Sequence, residues 1–200
     1  MADVNHSSLT DPKLHEPKGC STANNGMVYV ANGAGSGQWI YLPTGWGFYA
    51  DDGSGQVVDT SDTKITCDGA ASNSDSNYLP FQIRGSSELW DTATNFITPI
   101  SQGDAYELRF QFPISAKSGS PNFIFFEFDI GGASSPSSVI IERTIAVPSS
   151  VPYSVSIGFP VFVSSDFKTN GGQIFLHTDT GTVTVLKPDI LISRIHSGSL

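Results

Sequence analysis

The histidines are the first candidates for chemistry, because a Ser-His-acid triad needs an imidazole held beside a carboxylate. Of the four histidines, only His177 falls within a predicted strand, just before Asp179. His6 and His15 lie near the beginning of the chain, and His196 lies near its end. The sequence contains no G-x-S-x-G nucleophile elbow. These positions predict that His177 is a surface hydrogen-bonding residue and that the chain has no catalytic residues.

Paired carboxylates are the next candidates, since glycoside hydrolysis uses two of them about 5–10 Å apart. Glu107, Glu127 and Glu142 are the candidates inside predicted strands. Each alternates with apolar neighbours, as an outward-facing strand residue does. We expect these residues to serve solubility or pairing between strands. The protein is therefore predicted not to be an enzyme, with a carbohydrate-active enzyme as a minor alternative.

The spacing of potential metal ligands predicts no metal site. Cys20 and Cys67 are the only cysteines, and neither forms a close pair with another cysteine or a histidine, as zinc sites require. We expect both to be thiols, because no secretory signal opens the chain. An acidic segment from Asp51 to Asp75 indicates a solvated surface or, alternatively, an oxygen-ligand cation site. Its first residues lack the spacing of a calcium loop.

Composition and charge limit the partners. The net charge is −9, and only 10 of the 200 residues are Lys or Arg, so the chain lacks the basic cluster that phosphate binding requires. No apolar run approaches the roughly 18 residues of a membrane span. The glycines at 33 and 35 are followed by Gln38, so the dinucleotide fingerprint is incomplete. We expect no cofactor, no nucleic-acid partner and no membrane partner, and synthesis in the cytoplasm.

The elements that hold these side chains are predicted to be strands. Charged residues make up 14% of the chain, while 20 Gly and 12 Pro favour short strands joined by turns. The segment Tyr106–Phe112 alternates apolar and polar residues. In Ile124–Ile130 the even-numbered positions are apolar, and Phe123 and Phe125 place aromatic rings on the opposite face. Eight or nine such strands follow one another. They predict an all-β fold, with the strand spacing of an antiparallel β-sandwich or a jelly roll over residues 50–200, preceded by an extended N-terminal arm.

Residues 1–49 are predicted to form that arm and a glycine-rich connector. Pro12 and Pro17 fix φ and remove donors, which favours an extended chain. Leu9 and Leu14 are suited to fill pockets on a partner while the backbone pairs with a sheet edge. The alternative is a disordered tail.

The segment from His6 to Gly19, continued by Ser21-Thr22-Ala23 and by Val28 to Trp39, resembles the opening of the head decoration proteins of tailed bacteriophages. These are the cement or auxiliary capsid proteins and the related head-fibre proteins. A looser similarity extends from Glu107 to Ile195.

The resemblance implies a virion protein whose arm lies on the outer head shell and whose jelly-roll body projects as a homotrimer. The implied partners are the major capsid protein and further copies of the chain, and synthesis would take place in the host cytoplasm. The implied capsid-contact residues are His6, Leu9, Pro12, Leu14, His15, Glu16 and Pro17.

Aromatic residues crowd the connector between positions 39 and 49. Trp39, Tyr41 and Trp46 are the candidates for a contact with a glycan or a protein. The alternative is that the cluster closes one end of the sandwich. A glycan- or receptor-binding module of the virion is accordingly the second functional hypothesis.

Overall fold

The computed structural model describes residues 23–24, 27–31 and 37–198. The chain divides into two compact units, Met1–Leu42 and Pro43–Leu200. In the first unit, strands β1 (Met27–Ala31) and β2 (Gly37–Tyr41) form an antiparallel hairpin. The second unit, which we call the body, contains the remaining elements. It begins earlier than the predicted range 50–200, because residues 45–50 pair with the C-terminal strand and so belong to its sheet.

Twelve strands and one short helix form the body over the residues described. They are β3 (Gly45–Ala50), β4 (Gln56–Val58), β5 (Thr63–Lys64), β6 (Trp90–Asp91), β7 (Phe96–Ile97), β8 (Ala105–Ser118), β9 (Phe123–Asp129), β10 (Val139–Ala146), β11 (Tyr153–Phe162), α1 (Ser165–Asn170), β12 (Gln173–Thr178), β13 (Thr182–Val185) and β14 (Asp189–His196). No described helix is long and apolar enough to cross a membrane.

Two antiparallel sheets face each other. The first has the order β3-β14-β8-β13-β4, with β11 on the other side of β8, and the second has the order β10-β9-β12-β5. Strands β13 and β14 both pair with β8, each along a different part of its length. On their outer edges, β14 pairs with β3 and β13 pairs with β4. The chain crosses repeatedly between the sheets as it proceeds. This strand order is that of a jelly roll, which confirms the predicted fold class.

Alternation along the strands builds the core. In β8, Leu108, Phe110 and Phe112 are buried, whereas Arg109 and Gln111 between them face solvent. Aromatic rings from the two sheets meet at the centre, where Phe110 and Phe159 of the first sheet lie 5.7 and 5.9 Å from Phe126 of the second. Each such ring contributes about 1.5–3 kcal/mol when it is fully buried. The body is therefore held together by an aromatic layer between its sheets.

The flanks of the sandwich depart from simple alternation. Phe123 lies on the outer face of β9 and remains 43% exposed. Pro160 lies in β11, which pairs only with β8 over the residues described, as is typical of a proline within a sheet. The helix α1 was not predicted. The Oγ atom of Ser164 accepts a hydrogen bond from the N–H of Phe167 and so begins it.

Candidate functional site

The predicted capsid-contact residues lie outside the described part of the chain. These residues are His6, Leu9, Pro12, Leu14, His15, Glu16 and Pro17. The structure therefore neither supports nor opposes their role, and the arm stays a prediction.

The predicted aromatic contact residues are divided between the two compact units. Trp39 and Tyr41 belong to β2 of the hairpin, where Trp39 stands opposite Tyr29 and the two rings make an edge contact at 5.4 Å. Trp46 belongs to β3 of the body. The three residues thus do not form a patch within one unit, because the boundary between the units falls between them.

Within the body, Trp46 is the centre of an aromatic surface. Its ring stacks on that of Tyr78 at 4.9 Å, and the Tyr78 side chain is 56% exposed. Trp46, Phe48, Leu191 and Ser193 line a shallow depression of about 390 Å³ on the outer face of the first sheet. We call Trp46, Phe48, Tyr78 and Leu191 the aromatic patch. Flat, half-exposed rings of this kind can stack on a sugar or pack against a protein.

The local sequence explains why these rings point outward. In β3, Trp46 and Phe48 alternate with Gly47 and Tyr49, which face the interior. A side chain at Gly47 would place its Cβ 2.6 Å from the Tyr49 hydroxyl, so glycine makes room for that ring. The Tyr49 hydroxyl donates to Glu88 and accepts from the N–H of Leu89, both at 2.9 Å. Burial, followed by Glu88, raises the pKa of Tyr49. Part of the aromatic cluster is therefore core.

A buried ion pair closes the end of the body where the chain enters it. The Arg194 Nη2 atom lies 2.6 Å from Asp104 Oδ1, and both side chains are fully buried. Arg194 Nη1 donates to the carbonyl of Pro43 at 3.0 Å, and Nη2 also donates to Ser197 Oγ at 3.0 Å. The N–H of Gly198 donates to Asp104 Oδ1 at 3.0 Å. We call this network the Arg194 clamp. It joins the beginning and the end of the body's chain.

Hydrogen bonds determine the charge state of the clamp. Burial alone would raise the pKa of Asp104, but hydrogen bonds from Arg194 and from the N–H groups of Gly198 and Ser101 outweigh it, and the pKa is lowered. Sequence reasoning did not single out Asp104 or Arg194. The period-2 pattern contained a signal, because Arg194 shares a face with the buried Ile190 and Ile192.

The aspartates of the acidic segment have a structural role in turns. Each of four carboxylates accepts a hydrogen bond from the N–H two residues further on: Asp51 from Gly53, Asp59 from Ser61, Asp68 from Ala70 and Asp75 from Asn77. Such side chains stabilise turns by imitating a backbone carbonyl. Four of the six aspartates between positions 51 and 75 are thus explained by turns, and Asp52 and Asp62 are not among them.

His177 is paired with a residue that the sequence did not suggest. Its Nδ1 atom lies 3.0 Å from Oδ1 of Asp62, and its ring stacks on Phe125 at 4.7 Å. The neighbouring Asp179 instead accepts hydrogen bonds from the N–H groups of Asn122 and Phe123. The sequence places His177 near Asp179, but the carboxylate closest to its Nδ1 atom is that of Asp62, which the loop before β5 brings to it.

The carboxylates in strands belong to different faces. Glu107 lies 3.5 Å from Arg109 on the first sheet. Glu127 and Glu142 stand directly opposite each other in β9 and β10 of the second sheet. Burial, followed by the charge of Asp62, raises the pKa of Glu127, and His177 opposes this shift.

Neither a protein-family model nor a curated protein matches the chain. Among solved structures, the chain is similar to a protein of Bacillus endospore appendages, described as forming a novel family of disulfide-linked pili (9% identity, TM-score 0.39, 77% of this chain and 89% of that one). It is similar to PRD1 vertex protein P5 (11% identity, TM-score 0.46, 87% and 84%). It is also similar to Eiger TNF from S. frugiperda (11% identity, TM-score 0.44, 80% and 97%). Since these TM-scores are below 0.5, the assignment of a jelly roll rests on the strand order alone.

Proposed function

We propose that this chain is a structural protein of a bacteriophage particle, a capsid decoration or cement protein that binds the outer head shell through its N-terminal arm. The resemblance of residues 6–39 to such proteins suggests the attachment, and the jelly-roll body suits a projecting module. The partners are the major capsid protein and further copies of the chain in a homotrimer. The proposed role requires no catalytic step, cofactor, nucleic acid or membrane.

The Arg194 clamp is the observation that carries this proposal. An anchored arm exerts its pull where the chain enters the body, which is at Pro43. There the Pro43 carbonyl is held by Arg194 of β14, and Arg194 is held in turn by the buried Asp104 beside β8. A pull on the connector is therefore carried to the central strands of the first sheet. This arrangement suits a body tethered from one end.

Binding through an arm requires contacts that offset the entropy lost when the arm becomes ordered. Ordering an extended segment costs about 1–2 kcal/mol of backbone entropy per residue, and pairing and burial on the shell must offset it. Three arms of one trimer would bind with a high effective concentration, so that weak individual contacts hold the shell collectively. A substitution that removes one arm contact removes it from every copy in the trimer. The loss of binding free energy should therefore be multiplied by the number of arms engaged.

The test is co-sedimentation of the purified protein with shells that lack it. Deletion of residues 2–20 should abolish binding, while circular dichroism and the unfolding transition of the body stay unchanged. Replacing Leu9 and Leu14 by Ser should give a partial loss, with Ser7→Ala and Ser8→Ala as the control. Undiminished binding of the truncated protein would refute the proposal.

The aromatic patch favours a second candidate, adhesion to a host surface. The stacked pair Trp46 and Tyr78 offers flat rings of the kind that stack on sugars. Trp46→Ala and Tyr78→Ala should leave sedimentation with shells intact if the protein is a cement protein. If the body binds host polysaccharide and these variants lose that binding, adhesion is the function.

A further inference from the structure

Three metal-ligating side chains converge on the outer face of the second sheet, away from the aromatic patch and the Arg194 clamp. Glu127 lies in β9, His177 lies in β12 beside it, and Asp62 lies in the loop that leads into β5. One ligand atom from each lies within 4.8 Å of the other two. Because β9 and β12 are paired in register, Glu127 and His177 are held on neighbouring strands of the sheet.

Two polar atoms of this cluster lack the partners that buried polar atoms normally have. Glu127 Oε2 and His177 Nδ1 are both shielded from solvent, and neither has a hydrogen-bond partner in the described structure. Nδ1 lies 3.0 Å from Asp62 Oδ1 without the alignment of a hydrogen bond. Two lone-pair atoms at this separation can each lie about 2.0–2.2 Å from one ion, at an angle of about 90°.

We propose that Asp62, Glu127 and His177 bind one divalent transition-metal ion of the zinc class. An imidazole nitrogen with carboxylate oxygens suits zinc and its neighbours better than calcium, which takes six to eight oxygen ligands. Stacking on Phe125 fixes the plane of the His177 ring. Glu142, directly opposite Glu127, adds negative charge beside the site. Three protein ligands leave a position for water.

The ion would act as a structural cross-link. The strand β5 is two residues long and stands at the edge of its sheet, where it pairs only with β12 over the residues described. A metal held by Asp62 ties the loop before β5 to β9 and β12, the central strands. Metal binding should therefore stabilise the folded body in proportion to the free ion concentration.

The test is calorimetric titration of the chelator-treated full-length chain with ZnCl2. The background carries His6→Gln, His15→Gln and Cys20→Ser, because those residues are also potential zinc ligands. We expect one zinc ion per chain and a rise of the unfolding temperature with zinc. His177→Gln and Asp62→Asn should each weaken binding at least about ten-fold, since even indirect contacts to a metal are worth that much. Glu127→Gln should do the same.

The matched controls are His196→Gln and Asp166→Asn, which replace exposed residues of the same types elsewhere on the body. Both should retain the affinity of the background protein. Circular dichroism without metal establishes that each variant is folded. The proposal is overturned if zinc does not bind stoichiometrically, or if binding is unchanged in folded His177→Gln and Asp62→Asn. It does not depend on the proposed virion role, since a failed shell-binding test leaves this titration unaffected.

Discussion

The Nη2 atom of Arg194 lies 2.6 Å from Oδ1 of Asp104, and neither side chain has any exposed surface. A charge pair removed from water in this way is stable only when further hydrogen bonds satisfy its other polar atoms. Pro43, Ser197 and Gly198 supply such bonds, whereas the buried Nε atom of Arg194 has no hydrogen-bond partner in the described structure. The pair therefore joins segments that are distant in the sequence at one end of the sandwich.

Replacing Arg194 by Met should destabilise the body by about 3–5 kcal/mol, because it leaves the Asp104 carboxylate buried without its partner. Urea unfolding followed by circular dichroism measures the loss. Arg109→Met is the control, since Arg109 and Glu107 form an exposed pair that is worth at most about 1 kcal/mol. Equal losses in the two variants would contradict the structural importance of the clamp.

The clamp also predicts how stability depends on pH. Asp104 has a lower pKa in the folded chain than in the unfolded chain, so it stabilises the fold above its unfolded pKa of about 4. That contribution is lost as the pH falls through the folded pKa. The difference in unfolding free energy between the wild type and Asp104→Asn should therefore narrow between about pH 5 and pH 2. A constant difference across this range would show that Asp104 does not titrate as proposed.

A close approach of two turns predicts the effect of an added methyl group at the opposite end of the body. Gly181 has a φ of +63°, and a Cβ at this position would meet the Ser118 carbonyl. Gly85 has a φ of +77° but has open space around it. Gly85→Ala should cost about 1–2 kcal/mol for the left-handed backbone alone. Gly181→Ala should cost about 1–3 kcal/mol more, by urea unfolding, because of overpacking. Similar costs would contradict this geometry.

The thiol of Cys67 should be unreactive in the folded protein. Burial, the largest influence, raises its pKa to about 12, and the side chain has no exposed surface. In a Cys20→Ser variant, labelling with a disulfide reagent near pH 8 should be roughly 10³-fold slower in buffer than in urea. Fast labelling without denaturant would show that the region around Cys67 opens readily.

The fold could be predicted from the sequence where alternation is regular. The alternation in β8 and β9 predicts the strands and their buried faces, and turn residues separate the segments, so a β-sandwich or a jelly roll follows. The extent of the body was harder to predict, because Gly45 and Gly47 interrupt the apolar pattern in β3. The helix α1 has only 6 residues, which is too short for a periodic signal.

The candidate sites were less predictable, because they depend on contacts between distant residues. Asp62, Glu127 and His177 come from three segments, and no local spacing connects them. For Arg194, the alternation in β14 predicts a position on the apolar face, but nothing in the sequence identifies Asp104 as its partner. The separation of Trp39 from Trp46 depends on where one compact unit ends, which composition does not define.

The Arg194 clamp has a consequence for attaching foreign sequences to this protein. Pro43 and Gly198 are both held by the clamp, so a polypeptide fused after Gly198 would leave the body at the end where the chain enters it. The strand β8 runs from that end for about 45 Å. The turn at residues 119–122 follows its far end, so a peptide inserted there would extend from the opposite end of the body.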